Sequence, residues 1–277
     1  MSRIRDILLN KRRSDAEQSI SDRTKSVYMG DRTVLCRILG DNKFFVFSDD
    51  AGLAPHLIFD GYWEFWLTRY FAEMIQPGDT VIDIGANVGY YSVLAAELVS
   101  GTGRVVAIEP NPEVYALLAR NMGVNGFASR SEARNFALSF AGGTGSLPFF
   151  VPKGEPKNGR FVVEGESIDF LSDHGAVFQV ELGGLLANDF DRIDFIKIDV
   201  EGAEIAVLDH IRPLVERFHP KVVCEVNFAR GYSYDDIQRS IGTKDDLQFL
   251  DFDAKVKPLT REMAHNERPA DDWLVCF

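Results

Sequence analysis

The sequence predicts an α/β fold built on a mostly parallel sheet with helices on both faces. From Thr80 onward, short apolar runs alternate with segments of helical periodicity, and glycine-rich turns separate them. Strands that alternate with helices are typical of a parallel sheet. The chain has 277 residues, of which 45% are hydrophobic and 26% charged, so it is long enough for one large domain of this class.

The segment before this alternation is predicted to be an N-terminal extension or cap over residues 1–75. Residues 1–13 contain only a three-residue apolar stretch, too short for a secretory signal, and indicate an amphipathic surface helix. Strand-like runs at Thr33–Leu39 and Lys43–Phe47 flank a Gly-Asp-Asn turn, which predicts a β-hairpin. Helical spacing of aromatic residues over residues 62–74 predicts an amphipathic helix that ends at a Pro-Gly pair.

The main domain is predicted over residues 76–277, with an irregular insert at about 141–180 that is rich in glycine and proline. Asn111 is a plausible N-cap, because Pro112 follows it at the first helical position. The expected strands are Val81–Ile84, Arg104–Ile108, Ser131–Phe136, Asp194–Asp199, Lys221–Val226, Leu247–Phe252 and Asp272–Phe277, and the expected helices are Tyr91–Val99, Asn111–Met122 and Ala203–Ile211.

Charge and cysteine content bear on the partners and the compartment. A net charge of −12 disfavours nucleic acid, whose binding normally needs a basic face. No apolar run approaches the roughly 20 residues of a membrane helix, so no membrane span is expected. Cys36, Cys224 and Cys276 lack metal-ligand spacing and lie in apolar runs, which favours buried thiols and a cytoplasmic location.

The most informative segment is the turn after the first predicted strand of the main domain, Asp83–Gly89, which reads D-x-G-x-N-x-G. In a doubly wound sheet, ligands bind beyond the carboxyl ends of the strands. Gly85 and Gly89 allow close approach of the backbone, Asp83 offers a carboxylate to a cationic group, and Asn87 offers a donor and an acceptor. A dinucleotide loop would read G-x-G-x-x-G, so this spacing disfavours a pyrophosphate.

A second signal lies about 20 residues further on, at the end of the next strand. Glu109 precedes Pro110 and Asn111 there. An acidic side chain at this place can accept hydrogen bonds from both hydroxyls of a ribose. We therefore expect Glu109 to bind the ribose of a nucleoside-containing cofactor, with a solvated turn carboxylate as the alternative.

These motifs resemble the FkbM family of class I S-adenosylmethionine-dependent methyltransferases. The similar segments are Pro77–Gly89, Glu109–Pro112 and the run IKIDVEGAE at Ile196–Glu204, with weaker similarity at Gly61–Glu64, Asn135–Ser139 and Cys224–Glu225. The resemblance spans about residues 60–230. It implies a seven-stranded Rossmann-like sheet, S-adenosylmethionine as cofactor, and methyl transfer, usually to a hydroxyl of a sugar or polyketide.

The resemblance also implies which residues bind the cofactor. The matching positions are Asp83, Gly85, Asn87, Gly89 and Glu109, and we also expect contacts from Ala86, Pro110, Asn111, Asn135 and Asp199. Many class I enzymes hold the adenine amino group with an acidic residue after the third strand. This chain has Asn135 in that stretch, so the amide or the backbone must serve.

Carboxylates at the ends of the fourth and fifth strands are the candidate catalytic groups. A hydroxyl acceptor needs a base to remove its proton. Asp199, Glu201 and Glu225 are the candidates, and Glu204 is a weaker one, because carboxylates near a helix N-terminus are favourable without any catalytic role. Lys197 is expected to pair with one of these acids. Glu64, in the aromatic stretch before the main domain, would need a partner if buried.

Several alternatives remain open from sequence. No metal ion is expected in the site. A Mg²⁺ ion bound by the oxygens of Asp199, Glu225 and Asn227 is the alternative. His56 and His174 are further base candidates, and surface positions are the simpler interpretation. The acceptor is expected to be a small molecule or glycan, bound by residues 1–75 and 141–180. An RNA or protein methyltransferase, an NAD-dependent oxidoreductase and a non-catalytic binding module are the rival functions, and the oligomeric state is not predicted.

Overall fold

The computed structural model describes residues 2–138, 145–154, 159–162, 165–243, 245–266 and 272–277. The helices are α1 (Arg3–Asn10), α2 (Arg13–Ser21), α3 (Ala54–Phe59), α4 (Phe65–Met74), α5 (Tyr90–Leu98), α6 (Pro112–Val124), α7 (Ile168–His174), α8 (Glu204–Phe218), α9 (Tyr234–Ile241) and α10 (Arg261–Asn266). The strands are β1 (Ser26–Gly30), β2 (Thr33–Ile38), β3 (Asn42–Phe47), β4 (Thr80–Ile84), β5 (Arg104–Ile108), β6 (Ser131–Arg134), β7 (Ala137–Leu138), β8 (Gly145–Pro152), β9 (Arg160–Phe161), β10 (Gly175–Gly183), β11 (Phe195–Ile198), β12 (Lys221–Val226), β13 (Gln248–Leu250), β14 (Val256–Pro258) and β15 (Trp273–Cys276).

The central sheet confirms the predicted α/β class. Its order is β14-β13-β15-β12-β11-β4-β5-β6. Strands β12, β11, β4, β5 and β6 are parallel, and β15 turns the sheet antiparallel at β12. Among the described residues the sheet has eight strands rather than the expected seven. The additional strand is β14, a three-residue edge strand between the expected strands Leu247–Phe252 and Asp272–Phe277.

Strand residues alternate between two apolar cores, one on each face of the sheet. In β4, Val81 faces the core formed with α4, α5, α6 and the N-terminal elements, whereas Ile82 faces the core formed with α8, α9 and α10. This alternation follows from the period of two along a strand. Helix α8 continues beyond its predicted end at Ile211, because Leu214 extends the buried face past Pro213.

The N-terminal residues form a three-stranded antiparallel sheet rather than a hairpin alone. Strands β2 and β3 make the expected hairpin, and β1 pairs with the outer edge of β2. Residues of this sheet and of α1 and α2 belong to the same core as α4 and α5. Arg5 in α1 is buried and donates to the carbonyl of Ala72, at 2.6 Å, and to that of Ile75, so α1 is tied to the end of α4.

Asn121 of α6 and Asn125, the residue that caps the end of α6, cover the free edge of β3. The Asn121 amide accepts from Phe45 N at 2.6 Å and donates to Phe45 O at 2.9 Å. Asn125 makes the corresponding pair with Lys43 N and O, at 2.9 and 2.7 Å. Asn121 also donates to Val88 O at 2.8 Å. The N-terminal sheet is therefore hydrogen-bonded to the turn that follows β4.

The insert, expected to be irregular, forms a sheet of its own from four described strands, in the order β7-β10-β8-β9. Strands β8 and β10 are antiparallel from Gly145 paired with Leu182 to Pro152 paired with Gly175. Strand β7 continues the chain after β6 and pairs in parallel with the end of β10. The insert is thus anchored directly after the third parallel strand of the central sheet.

Candidate active site

The turn between β4 and α5 is shaped by two glycines that protein atoms crowd. Gly85 has φ +74°, and a Cβ there would lie 1.7 Å from the carbonyl oxygen of Asp199. Gly89 has φ +93°, and its Cβ would lie 2.6 Å from Leu118 Cδ1. The amides of Gly85 and Ala86 both donate to Ile108 O, at 2.9 Å. The glycines therefore let this turn pack against β11 and α6, a requirement that exists without any ligand.

Glu109 lies at the end of β5, with its carboxylate buried against the same turn. Its Oε2 accepts from Asn87 N at 2.9 Å, and its Oε1 accepts from Asn111 N at 2.8 Å. Burial raises the pKa of Glu109 to about 7, although the two backbone N–H groups act in the opposite direction. An ionised carboxylate has about four acceptor positions. Two of them remain for donors in the adjoining pocket.

Asp83 is buried beneath the pocket and has partners within the protein. Its Oδ2 accepts from the Ser92 hydroxyl at 2.6 Å, and Lys197 Nζ lies 3.7 Å from its Oδ1. Burial raises the pKa of Asp83, and Lys197 and Ser92 offset part of that rise. The structure thus places this predicted cofactor-binding carboxylate next to Lys197, outside the set of residues that line the pocket.

Lys197 connects Asp83 with the end of β11. Its Nζ lies 3.2 Å from Asp199 Oδ2 and 5.2 Å from the centre of the Tyr91 ring. Burial alone would lower the pKa of Lys197, but the carboxylates of Asp199, Asp83 and Glu225 more than offset it and the pKa is raised. The expected pairing of Lys197 with an acid is confirmed, and the ammonium neutralises part of the charge below the pocket.

Three carboxylates, which we call the carboxylate cluster, line the pocket: Glu64, Asp199 and Glu225. Asp199 most strongly, then burial and Glu64, hold the pKa of Glu225 well above its usual range. The Tyr91 hydroxyl donates to Glu64 Oε2 at 2.7 Å. Neighbouring like charges disfavour simultaneous ionisation, so Glu225 holds a proton more readily than an ordinary glutamate.

Glu201 lies at the rim and is paired with a cation. Arg230 contacts Glu201 and also lies 3.2 Å from Glu204 Oε1. Burial raises the pKa of Glu201, and Arg230 partly offsets it. Glu204 is buried and accepts from Gly202 N at 2.8 Å, so it stabilises the turn that leads into α8.

Part of the pocket lining has a strained backbone. Three lining residues that are not glycine have positive φ: Glu64 at 37°, Asn87 at 52° and Glu201 at 48°. Such conformations cost of the order of 1–3 kcal/mol each and cluster at functional sites. Each of them precedes a helix: Glu64 precedes α4, Asn87 precedes α5 and Glu201 precedes α8.

One pocket brings most of the predicted residues together. Gly85, Ala86, Asn87, Glu109 and Pro110, after β4 and β5, line it together with Asp199, Glu201 and Glu225, after β11 and in β12. Gly89, Asn111 and Asn135 are not among the lining residues. Asn111 caps α6, and Asn135 donates to Glu109 O and Pro110 O, at 2.8 and 3.0 Å, so both stabilise the pocket from behind.

The pocket also contains aromatic residues, of which only Trp63 belongs to the aromatic stretch expected before the main domain. Aromatic side chains complete its wall: Trp63, Tyr90, Tyr91, Phe136, Phe149 and Phe161. Phe149 and Phe161 come from β8 and β9, and their rings contact edge to face, with centroids 5.4 Å apart. The region of the insert had been predicted to take part, but its strand pairing was needed to identify these two residues.

The remaining base and metal candidates lie elsewhere or have other partners. His56 is exposed and 3.4 Å from Asp60, and His174 contacts Phe170 O on α7. Asn227 accepts from Ala229 N, which caps a short turn. In the described part of the chain, no group of three or more His, Cys, Asp or Glu side chains is arranged to hold a metal ion. All three cysteines are buried, as predicted.

Comparison with known proteins identifies the family. Residues 83–241, more than half of the chain, match the model of the methyltransferase FkbM domain. This chain belongs to the FkbM methyltransferase family. The match begins at Asp83 and includes Glu109, Asp199 and Glu225, so the family region contains the pocket-lining residues except for Trp63, Glu64 and Leu53.

Two curated proteins are similar to parts of this chain. Methyltransferase sdnD of Sordaria araneosa is 30% identical over 152 residues, which cover 46% of this chain and 58% of sdnD. A protein-L-isoaspartate O-methyltransferase of Aeropyrum pernix is 46% identical over 52 residues, 19% of this chain and 20% of that protein. The chain thus spans less than two thirds of these curated relatives.

Similar solved structures include a methyltransferase FkbM from Methylobacillus flagellatus, with TM-score 0.44 and 19% identity, covering 76% of this chain and 50% of that one. Another is TYW2 of P. horikoshii in complex with MeSAdo, with TM-score 0.45 and 15% identity, covering 90% of this chain and 71% of that one. Within the described residues, no helix is both long and apolar enough to cross a membrane.

Proposed function

We propose that this chain transfers the methyl group of S-adenosylmethionine to a hydroxyl group on a sugar or secondary-metabolite scaffold. The observation that carries the proposal is that one pocket is lined both by Glu109, which has acceptor positions left for a ribose, and by the carboxylate cluster. Membership of the FkbM methyltransferase family supports the reaction class. The acceptor class follows the resemblance of the sequence motifs.

The part of the pocket around Glu109 fits a nucleoside. Glu109 offers two further acceptor positions to ribose hydroxyls, and its position is fixed by Asn87 N and Asn111 N. Ile108, Pro110 and Leu138 provide apolar surface for a base in the same pocket. The cofactor supplies a sulfonium-bound methyl group that is already electrophilic, so the protein has mainly to align the reacting atoms and remove a proton.

The carboxylate cluster contains a suitable base. We assign proton removal to Glu225, because its raised pKa makes its carboxylate a stronger base than an ordinary glutamate. The acceptor hydroxyl gives its proton to Glu225 as its oxygen forms the bond to carbon and the carbon–sulfur bond breaks. Lys197 fixes Asp199, which leaves Asp199 to orient the acceptor hydroxyl. Glu201, paired with Arg230, shapes the entrance.

Aromatic rings add apolar surface to the part of the pocket that we assign to the acceptor. Trp63 on one side and Phe149 and Phe161 on the other provide flat apolar surfaces. Such surfaces pack against the apolar faces of sugar rings or polyketide scaffolds, while the carboxylates accept from their hydroxyls. An acceptor of this mixed kind agrees with the chain's net charge of −12, which disfavours polyanions.

Two measurements test the proposal. Isothermal titration should show binding of S-adenosylmethionine and none of NAD, and the reverse result would indicate an oxidoreductase. Labelled cofactor should then transfer its methyl group to hydroxylated glycans or metabolites but not to matched compounds with the hydroxyl removed. Glu225→Gln should lose about 10²–10⁴-fold in turnover, whereas Glu216→Gln, on the exposed face of α8, should retain it. Equal turnover of the two variants would exclude Glu225 as the base.

A further inference from the structure

The N-terminal sheet has one covered edge and one open edge. Asn121 and Asn125 of α6 hydrogen-bond along β3. Strand β1, at the other edge, pairs only with β2 among the described residues. An open edge presents a row of unpaired N–H and C=O groups and is a template for another strand.

The direction of the unpaired groups follows from the pairing of β1 with β2. Arg37 N donates to Lys25 O at 2.8 Å. Hydrogen-bonded and non-hydrogen-bonded pairs alternate in an antiparallel ladder, and Val27 pairs with Leu35 two residues further along. The backbone groups of Ser26 and Tyr28 therefore point away from β2, toward the open side.

The side chains of β1 are unusually apolar for an open edge. Val27 is 53% exposed, Tyr28 63% and Met29 53%. Phe59, 76% exposed, lies close to the start of the strand, because the neighbouring Asp60 carbonyl accepts from the hydroxyls of Ser21 and Thr24. Edge strands of monomeric proteins are usually protected by charges, covering elements or bulges. Residues 26–30 contain no charged side chain, and in the described part of the chain no other strand pairs with their outer side; the register irregularity of β1 lies at its end, between Tyr28 and Gly30.

The two ends of β1 carry opposite charges. Lys25 precedes the strand, Asp31 follows it, and both are exposed. The ion pairs of the described residues include neither of them. In an antiparallel pair of identical strands centred on Tyr28, Lys25 of each copy would lie at the end that carries Asp31 of the other. A twofold axis would thus produce two such contacts, as an isologous interface requires.

We propose that β1 is a homodimerisation edge, through which two copies of this chain form a continuous six-stranded antiparallel sheet. Tyr28 pairs with Tyr28 across the axis, because its N–H and C=O are those that point outward. Val27 and Met29 of one copy meet Met29 and Val27 of the other, and Phe59 borders the contact. The partner is a second copy rather than an unrelated strand because the charge pattern of the edge is complementary to itself.

Sedimentation equilibrium of the full chain over a range of concentrations tests this interface. We expect a reversible dimer. Lys25→Glu or Asp31→Lys alone should weaken it about tenfold, because each replaces two attractive contacts with two repulsive ones. The double variant Lys25→Glu/Asp31→Lys should recover the wild-type dissociation constant to within about threefold. Glu216→Lys on α8, which changes the net charge as Asp31→Lys does, should have no effect.

A backbone variant provides an independent test. Tyr28→Pro removes an outward N–H that β2 does not use, so it should abolish the dimer while the thermal unfolding of the monomer remains cooperative. The proposal is overturned if the wild-type chain is monomeric at every concentration, if the single charge reversals behave as Glu216→Lys does, or if the double variant is no better than either single one. A monomeric wild type leaves the proposed methyl transfer untouched, because β1 does not line the pocket.

Discussion

Replacing Gly85 with alanine tests whether the turn after β4 is shaped by packing against the protein. The new Cβ would lie 1.7 Å from Asp199 O and 2.8 Å from Asp199 C. These are backbone atoms at the end of β11, so no side-chain rotation relieves the overlap. The turn and β11 must separate, and the hydrogen bond from Asp199 N to Ile84 O, 3.0 Å long, connects the segments that would be pushed apart.

The expected loss of stability is the sum of three contributions. A left-handed conformation at φ +74° costs an L-residue about 1–2 kcal/mol. Overpacking a well-filled site costs about 1–3 kcal/mol, and weakening one backbone hydrogen bond costs about 1 kcal/mol. Gly85→Ala should therefore lower the free energy of unfolding by about 3–6 kcal/mol and disturb both Asn87 and Asp199, on the two sides of the pocket.

Urea denaturation followed by circular dichroism measures this loss, and Gly123→Ala is the matched control. Gly123 lies in the last turn of α6, and nothing is within 4 Å of its Cβ position. Alanine is favoured over glycine in a helix by about 1 kcal/mol, so the control should be neutral or stabilising. A loss below about 1 kcal/mol for Gly85→Ala would refute the packing explanation and leave ligand contact as the reason for the glycine.

Three other variants probe the charges of the site. Glu109→Gln should bind S-adenosylmethionine about tenfold more weakly above neutral pH. The pKa of Glu109 is about 7, so the affinity of the wild type for the cofactor should fall as the pH drops below that value. Titration calorimetry over this pH range should show no such dependence for the variant. In the wild type, kcat should fall at acid pH because the carboxyl group of Glu225, whose pKa is raised, becomes protonated. Glu225→Gln should remove this fall from the dependence of kcat on pH. Its affinity for the cofactor should stay within about threefold of the wild type. Lys197→Met should lower the free energy of unfolding by about 3–5 kcal/mol at alkaline pH, because it leaves Asp83 and Asp199 without their cation. As the pH falls, Asp83, whose pKa is raised, takes up a proton in the folded state, so the loss of unfolding free energy in Lys197→Met should become smaller. Urea denaturation at acid and alkaline pH measures this loss. An equal loss at both pH values would contradict this account of Lys197.

The parallel part of the fold was predictable because its signals are local. Strand β5 and strand β12 have the bounds that their apolar runs indicate. Asn111 caps α6 as the Asn-Pro pair predicts, by accepting from Glu113 N at 3.0 Å. Strands β1 and β14 were not predicted, because edge strands are short and largely exposed and so lack the apolar pattern that marks a buried strand.

The site was predictable in its residue types but only partly in their arrangement. Glycine spacing and strand-end acids identified one pocket, and the structure brings most of these residues together. Sequence spacing cannot show that Asp83 lies behind the pocket, because that depends on Lys197, a residue 114 positions away on the neighbouring strand. The contribution of Phe149 and Phe161 likewise depends on the pairing of β8 with β9.

Asn121 has a consequence for exchanging parts between members of this family. It holds β3 through Phe45 and the glycine turn through Val88 O, although it belongs to α6, inside the main domain. A chimaera joined near residue 75 would keep this asparagine while replacing the strand that it was fitted to. An exchange of the first 75 residues alone would therefore break the hydrogen bonds between Asn121 and β3, so the donor's counterpart of α6 has to accompany them to keep the turn after β4 connected to the N-terminal sheet.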